Sequence, residues 1–351
     1  MTTRRRIAYL AHGDASSPTS RYRIFLFREA LAAAGLEVDV LPAFDGAYFA
    51  AERHTGVRRW ARRVLGVTRA SLRRAAQIPR ALGADGLVIE RESFPWAPPV
   101  IEWLATMLGR GYVLELDDAV YLSPGRRLKY DGLLARSRAV IAGNATLAQH
   151  ATGVGATAHV VPTVVDTRRY RPRDDWALAA PPRLGWVGLA SNLSHLASIA
   201  APLARTCART GACVQVVSAR PPRLDLPLDF VPWREANEPD VVRGFDVGLM
   251  PLEDTPFARG KCGLKILQYM AAGVPVVASP VGVNAEIIRH GHNGLLATTA
   301  AEWERTLEDL LADAPLRERL GREGLRTVEE RYSLAVWGPR LAALYRDLFA
   351  G

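Results

Sequence analysis

Hydrophobic residues in the first half of the chain occur in short runs, separated by longer stretches that contain many polar residues. The longer stretches repeat their apolar positions near helical spacing, as in the segment 21–34. Short apolar runs that alternate with helix-period stretches are typical of parallel strands joined by crossover helices. The predicted strands of this half are 7–11, 37–41, 86–90, 111–116 and 139–143.

The pattern begins again after residues 166–182, which are polar and rich in Pro, Arg and Asp. Such a shift in composition indicates a domain boundary. The predicted strands that follow are 184–188, 212–217, 228–231, 247–251, 274–278 and 294–297. We therefore predict two doubly wound α/β domains, 1–166 and 167–333, and a last helix within 334–351 that can pack on either of them. Ligands of such domains bind at the carboxyl ends of the strands.

Length and composition narrow the class of protein. The 351 residues, of which 49% are hydrophobic, suit two domains better than one small core. No apolar run approaches the roughly 20 residues of a membrane span, and the start of the chain lacks the long apolar core of a signal peptide. The three cysteines have no metal-site spacing, so we expect a cytoplasmic location. A net charge of +9 suits acidic partners: phosphates, anionic lipids or nucleic acid.

Lysine is rare in this arginine-rich chain, and two of the three lysines, Lys261 and Lys265, lie within five residues. They flank the start of a predicted helix, 264–272, that follows a loop ending at Gly263. The first N–H groups of such a helix, from Leu264 onward, are free to bind a diphosphate. The two ammonium groups would neutralise charge on a diphosphate leaving group, which gives Lys261 a catalytic role. Chance clustering of the lysines is the alternative.

Residues 261–282, with the sequence KCGLKILQYMAAGVPVVASPVG, form the most specific pattern in the chain. With Glu286 and the run HGHNGLL at 290–296, they resemble the donor half of the family-4 (group 1) glycosyltransferases. Further similar positions are Trp303, 316–324, 330–333 and, more loosely, 20–23, 116–119, 161–162 and 165–166. The resemblance implies a GT-B fold, in which two Rossmann-like domains face a central cleft. It also implies a nucleotide-sugar donor held mainly by the C-terminal domain, retention of anomeric configuration, no metal, and a last helix that crosses back to the N-terminal domain.

The chain departs from the family pattern at two positions. Many members carry two glutamates, on the donor sugar and on the ribose, where this sequence has Gly260 and Gln268. The Gln268 amide can still bind ribose hydroxyls, or the residue can be a solvated helix position. Gly260 cannot replace a carboxylate, so the sugar contact falls to Lys261 or to Glu286.

Two further donor contacts are predicted in the second domain. Gly188, Ser191 and Asn192 follow a strand and precede a helix, where relatives approach the phosphates with backbone and side-chain donors. An ordinary βα turn with an N-cap explains the same residues. Trp233 ends a later strand and either stacks on the base or packs in the core.

The acceptor side is predicted in the first domain. Asp117 and Asp118 follow a strand, where one carboxylate can orient the acceptor hydroxyl or act as a weak base. The alternatives are a cap for the next loop, or a metal site, for which no third ligand is evident. Arg21 and Arg23 follow the first strand and contact donor phosphate or an acidic acceptor, unless they are solvated at a helix start. Glu90, followed by Arg91 and Glu92, is a second-rank acceptor candidate.

Residues 53–80 contain nine arginines and no Asp, Glu or Lys, with Trp60 among several interleaved apolar residues. A basic amphipathic helix of this kind can lie on an anionic membrane surface, which would suit a lipid-linked acceptor. A solvated surface helix is the alternative. Nothing in the sequence matches a nucleic-acid-binding motif, so we expect no nucleic-acid partner.

The leading hypothesis is a retaining, metal-independent glycosyltransferase that moves a sugar from a nucleoside-diphosphate sugar to a glycan, a lipid-linked acceptor or a small molecule. It needs no cofactor besides the donor substrate. The alternatives are a nucleotide-sugar epimerase on the same fold and a basic adaptor without enzymatic activity.

Overall fold

Buried apolar runs form two parallel six-stranded sheets in the computed structural model, which describes residues 5–50, 56–94 and 97–350. The chain divides into a first unit, Met1–Thr163 with Gly260–Cys262 and Leu334–Gly351, and a second unit, Val164–Arg259 with Gly263–Ser333. The first unit thus ends a few residues before the predicted boundary. It also takes three residues from the middle of the segment that was predicted to be wholly donor domain.

The sheet of the first unit has the order β2-β1-β3-β4-β5-β6, with all neighbouring strands parallel. Its strands are β1 (Arg5–Gly13), β2 (Leu36–Phe44), β3 (Gly86–Glu90), β4 (Val113–Leu116), β5 (Ala139–Ala142) and β6 (Ala158–Val160). Its helices include α1 (Pro18–Arg23), α2 (Arg28–Ala33), α3 (Gly46–Ala50), α4 (Gly56–Leu82), α5 (Val100–Met107), α6 (Arg127–Arg136) and α7 (Ala145–Gly153). The strand order reverses between β1 and β3.

The sheet of the second unit has the order β12-β11-β10-β7-β8-β9 and is also parallel. Its strands are β7 (Arg183–Val187), β8 (Cys213–Ser218), β9 (Leu228–Pro232), β10 (Val247–Met250), β11 (Val276–Ala278) and β12 (Leu295–Leu296). Its helices are α8 (Leu193–Ala197), α9 (Ala200–Thr210), α10 (Glu238–Arg243), α11 (Pro256–Arg259), α12 (Leu264–Ala271), α13 (Asn284–Ile287), α14 (Ala300–Ala312) and α15 (Ala314–Arg331). Here the order reverses between β7 and β10.

Helix α16 (Leu334–Leu348) ends the described chain and belongs to the first unit, where it packs on α2. Gly338 makes close packing possible, since a Cβ there would lie 2.9 Å from the Ala30 side chain. None of the helices in the described residues is long and apolar enough to cross a bilayer.

The predicted helix 21–34 is wrong as a single element. The structure instead has α1, a short 3-10 turn at Phe25–Phe27, and α2, with Ile24 outside the helical region at φ −134°. Residues 20–24 are all buried. One amphipathic helix buries one face only, so five consecutive buried residues require the chain to bend there.

The basic stretch 53–80 lies mostly in α4; residues 53–55 lie outside the described part of the chain. Arg74 of this helix is not solvated, since its side chain is buried. Its guanidinium donates to the carbonyls of Leu41 at 2.8 Å, Ala11 at 2.7 Å and Ser93 at 3.1 Å. Burial lowers the pKa of Arg74 to about 10. This arginine therefore ties α4 to the first unit rather than to a partner.

Candidate functional site

In the first unit, the carboxyl ends of β1, β3 and β4 lie side by side, at the point where the strand order reverses. Loops at such a reversal separate and leave a crevice that holds ligands in doubly wound folds. The predicted residues Glu90, Asp117 and Asp118 all follow or end these strands. The sheet order therefore brings together residues that are far apart in the sequence.

Asp117 and Asp118 are joined by Arg91, which follows β3. Arg91 donates to Asp117 Oδ1 from Nε at 3.0 Å and from Nη2 at 2.9 Å, and Nη2 lies 3.3 Å from Asp118 Oδ2. Burial alone raises the pKa of the Asp117 carboxyl, but Arg91 and the Thr19 hydroxyl outweigh it, so this pKa lies below its usual range. The Asp117 carboxylate is therefore available as a hydrogen-bond acceptor at neutral pH.

Glu90 ends β3 and is 1% exposed. Its Oε2 accepts hydrogen bonds from the His12 N–H and the Ser20 hydroxyl, both at 2.7 Å. Its Oε1 has no hydrogen-bond partner among the described residues. Burial raises the pKa of Glu90 to about 8, and burial lowers the pKa of His12 to about 3. A protonated Glu90 and a neutral His12 therefore both fit this interior at neutral pH.

Neither Arg21 nor Arg23 is a solvated residue at a helix start, because both are buried. Arg23 Nε pairs with Glu115 Oε1 at 2.5 Å, and its Nη1 donates to the Val161 carbonyl at 2.8 Å. The Tyr9 hydroxyl donates to the other oxygen of Glu115 at 2.5 Å. The Arg23 guanidinium thus neutralises a buried carboxylate in the core, which argues against its predicted contact with an acceptor.

Residues 260–262 belong to the first unit and are held there by Asn144, whose amide donates to the carbonyls of Gly260 at 2.9 Å and Lys261 at 3.1 Å. The Cys262 thiol donates to the Asp117 carbonyl at 3.0 Å. A Cβ at Gly260 would lie 2.6 Å from the Ala119 Cβ. Position 260, where many family members carry the first of their two glutamates, therefore has no room for a side chain. Lys261, beside it, is half-buried.

In the second unit, Gly188 follows β7 at the other reversal of strand order. A Cβ at Gly188 would lie 2.7 Å from Lys265 Cε and 2.7 Å from the Trp186 ring. The Lys265 ammonium lies 5.3 Å from the centroid of that ring, within the range of a cation–π interaction. Two residues predicted separately, Gly188 and Lys265, are thus in contact.

Gly263 precedes α12 with a left-handed backbone, φ 68°, and no side chain caps the helix start. A Cβ at Gly263 would lie 2.6 Å from Ile287 and 3.1 Å from Val283, next to the α13 segment that carries the exposed Glu286. Leu264 and Lys265, the first two residues of α12, are half-buried. The helix start therefore adjoins both the Gly188 loop and α13. In the Gly188 loop, Ser191 is exposed and Asn192 is half-buried.

Gln268 is 3% exposed, so the alternative of a solvated helix residue is wrong. Its amide nitrogen donates to Glu238 Oε1 at 2.7 Å and to the Tyr170 hydroxyl at 3.2 Å. The other oxygen of Glu238 accepts a hydrogen bond from the indole N–H of Trp233, which is half-buried. Sequence reasoning missed Glu238. Its position before Pro239 marks a helix start, but nothing local to it indicates a partner 30 residues away.

Comparison with known proteins adds similarities to this geometry. The family model described as "Glycosyl transferases group 1" matches residues 184–313. A D-inositol 3-phosphate glycosyltransferase of Stackebrandtia nassauensis is 36% identical over 96 residues, which cover 26% of this chain and 20% of the relative. The alpha-D-kanosaminyltransferase of Streptomyces kanamyceticus is 32% identical over 105 residues, or 29% and 27% of the two chains. The chain thus matches about a fifth to a quarter of the length of these relatives.

Solved structures match over nearly the whole chain. A sucrose-phosphate synthase from Thermosynechococcus elongatus aligns with a TM-score of 0.71 and 18% identity, covering 99% of this chain and 100% of that one. Anabaena HepE in complex with UDP-glucose aligns with a TM-score of 0.72 and 17% identity, covering 98% and 99%. The chain has the GT-B fold of the glycosyltransferases. The predicted family resemblance and the predicted fold class are both confirmed.

Proposed function

We propose that this protein is a glycosyltransferase that moves a sugar from a nucleoside-diphosphate sugar to a hydroxyl group of a glycan, a lipid-linked acceptor or a small molecule. The observation that carries the proposal is the contact of Lys265 with Gly188, at the uncapped start of α12 and inside the matched family segment. An ammonium group and the N–H groups at one helix start together suit the binding of a diphosphate. Charge on that diphosphate grows as the glycosidic bond breaks, and Lys265 would stabilise it.

Transfer with retention and without a metal is part of the same proposal. In many metal-dependent sites, a divalent cation bridges adjacent carboxylates. Here the Arg91 guanidinium already bridges Asp117 and Asp118, which supports a role for these carboxylates as acceptors from a substrate hydroxyl. Weak base assistance from Asp118 suits a retaining reaction, because the departing phosphate can take the proton.

We also propose that the acceptor side works near an anionic membrane surface. Helix α4 exposes 81% of Val57, 68% of Trp60 and 67% of Leu72, beside the exposed cations Arg58 and Arg62. Apolar side chains with arginines on one long helix favour the interface of an anionic bilayer. Flotation with vesicles containing phosphatidylglycerol, compared with phosphatidylcholine vesicles, tests this part. Equal binding to both, or to neither, contradicts it.

Thermal unfolding in the presence of UDP, GDP, UDP-glucose and GDP-mannose tests the central proposal. A nucleotide at about 100 times its Kd stabilises the folded state by about 2.7 kcal/mol. We expect the compounds of one base, either uracil or guanine, to raise the unfolding temperature in this way. On incubation with the protein in the presence of EDTA, the nucleotide sugar of that base should release its nucleoside diphosphate. An unfolding temperature that none of the four compounds changes would contradict the proposal. Inversion of the anomeric centre in the product, read by NMR, would contradict retention alone.

A further inference from the structure

The turn after β3 contains a strained backbone. Arg91 has φ 64°, and it is the one non-glycine residue in the left-handed region among residues 5–50, 56–94 and 97–350. A side chain with a Cβ avoids this region unless surrounding contacts hold it there, and such positions cluster at functional sites. The Arg91 N–H donates to the Glu115 carbonyl at 2.8 Å, which fixes the turn against β4.

The Arg91 side chain connects the turn after β3 to helix α1 and to the residues that follow β4. It donates twice to Asp117 Oδ1, at 3.0 and 2.9 Å, and once to the Thr19 hydroxyl, at 3.0 Å. Asp118 Oδ2 lies 3.3 Å from the same guanidinium. Asp117, with two of these bonds, is the anchored member of the pair. Asp118 is the more exposed, at 29% of its side chain against 13% for Asp117, and is therefore the one that can reach a substrate.

The two acidic residues beside Arg91 in the sequence take their hydrogen bonds from other donors, although the Glu90 carboxyl still acts electrostatically on the Arg91 guanidinium. Glu92 pairs with Lys129 at 2.7 Å and with Arg126, and Glu90 takes its two hydrogen bonds from His12 and Ser20. The guanidinium of Arg91 is thus directed to the pair that follows β4. A planar fork can hold two acceptor oxygens in fixed directions, which a lysine ammonium cannot.

Several other titratable groups act electrostatically on Asp117. They are His12 of β1, Arg23 of α1, Glu90 of β3, Glu115 of β4, Tyr130 of α6 and Cys262. Arg23 is already paired with Glu115. Arg23 still lowers the pKa of Asp117, but Arg91 has the larger effect and is the cation that hydrogen-bonds to both carboxylates. Without Arg91, one of the two carboxylates would therefore take up a proton at a higher pH.

We propose that Arg91 is a positioning residue of the acceptor side: it keeps the Asp117 and Asp118 carboxylates both ionised and turns Asp118 toward the hydroxyl that receives the sugar. The inference rests on the proposed function, because the proposed transfer reaction supplies the acceptor hydroxyl that Asp118 would contact. The ionisation of the pair, however, can be measured without any substrate.

The first experiment is carboxyl-carbon NMR on protein labelled at aspartate, with Asp117→Asn and Asp118→Asn used to assign the two signals. In the wild-type protein we expect the Asp117 carboxyl to titrate below its usual range. In Arg91→Met we expect one of the two to titrate at least one pH unit higher. Arg91→Lys keeps the charge and should stay near the wild-type titration. Arg73→Met is the matched control, because it removes a guanidinium that pairs with Asp45, which follows β2 of the same sheet. Identical titrations in Arg91→Met and wild type would overturn the proposal.

The second experiment is a pH–rate profile of UDP release from UDP-glucose, with GDP-mannose in parallel. For Arg91→Met we expect kcat to fall about 100-fold with an unchanged KM for the donor, and the acidic limb of the profile to move to higher pH. For Arg91→Lys we expect the acidic limb to return to its wild-type pH, because the charge is kept. The kcat of this variant should stay at least 10-fold below that of the wild type, since the planar guanidinium is lost. If Arg91→Met does not fold, the Arg91→Lys result alone decides, and a wild-type kcat in that variant overturns the proposal. A wild-type protein that neither binds nor turns over any nucleotide sugar would refute the proposed function, whereas the NMR titrations would still decide the role of Arg91.

Discussion

Lys265 lies across Gly188, with its Cε 2.7 Å from the position that a Cβ would occupy. The two residues are 77 positions apart in the sequence, and they meet because β7 and α12 end and begin at the same edge of the second sheet. The absence of a side chain at Gly188 lets the lysine stem pass close to the backbone and over the Trp186 ring. The Lys265 ammonium is therefore held in place at the start of α12 before a diphosphate binds there.

Lys265→Ala should lower kcat for sugar transfer by about 100-fold, because it removes a fixed charge from the leaving group in the transition state. Steady-state UDP release measures this. Arg322→Ala is the matched control, since it also removes a cation over a tryptophan ring, at 4.9 Å from Trp176, in the same unit. Wild-type turnover in Lys265→Ala, or an equal loss in the control, would disprove the assigned role.

Gly260→Ala should destabilise the first unit by about 1–3 kcal/mol, because the new methyl group would meet the Ala119 side chain. Urea unfolding measures the change. Ala119→Gly in the same chain makes room for the methyl group and should recover part of the loss. Additive effects of the two substitutions would show that they do not interact and that another constraint keeps glycine at this position.

Gln268→Glu, which restores the family residue, should destabilise the protein by about 1–3 kcal/mol at neutral pH. The new carboxylate would face Glu238 Oε1, which now accepts a hydrogen bond from the Gln268 amide at 2.7 Å. Two carboxylates at this distance raise one pKa, so the loss should grow as pH rises through that raised value. The swapped pair Gln268→Glu with Glu238→Gln should unfold near the wild-type urea midpoint. A swapped pair as unstable as the single variant would contradict this account.

Glu90→Gln should flatten the dependence of the unfolding temperature on pH. The folded-state pKa of Glu90 is raised by burial to about 8, against 4.5 for the free side chain. A raised pKa means that the folded state holds more protons, so stability is fully present below pH 4.5 and is lost as pH rises through about 8. The neutral amide resembles the protonated carboxyl and can still accept from the His12 N–H and Ser20. Above pH 8 the variant should therefore unfold at a temperature on the order of several degrees higher than the wild type. Parallel pH curves for the two proteins would argue that Glu90 is ionised throughout.

The alternation of short apolar runs with helix-period stretches was enough to predict most strands of both sheets within two residues, since burial on both faces of a parallel strand leaves a direct trace in sequence. Residues 86–90 match β3 at both ends, and the predicted helix 264–272 differs from α12 by one residue. The motif 261–282 was equally visible, because its glycines and lysines are close together along the chain. Where one helix was predicted over 21–34, the local period could not show that five consecutive residues are buried.

The sequence by itself determined the fold class, the resemblance to the group 1 glycosyltransferases and the residues at the start of α12. Tertiary structure decided which charged and polar residues remain available to a ligand. Arg23 is paired with Glu115, 92 residues away, Gln268 with Glu238, and Arg91 with Asp117. Periodicity along a chain reports which face of an element is buried, whereas ion pairs and hydrogen bonds depend on distances of about 3 Å that exist only after the strands are ordered in a sheet.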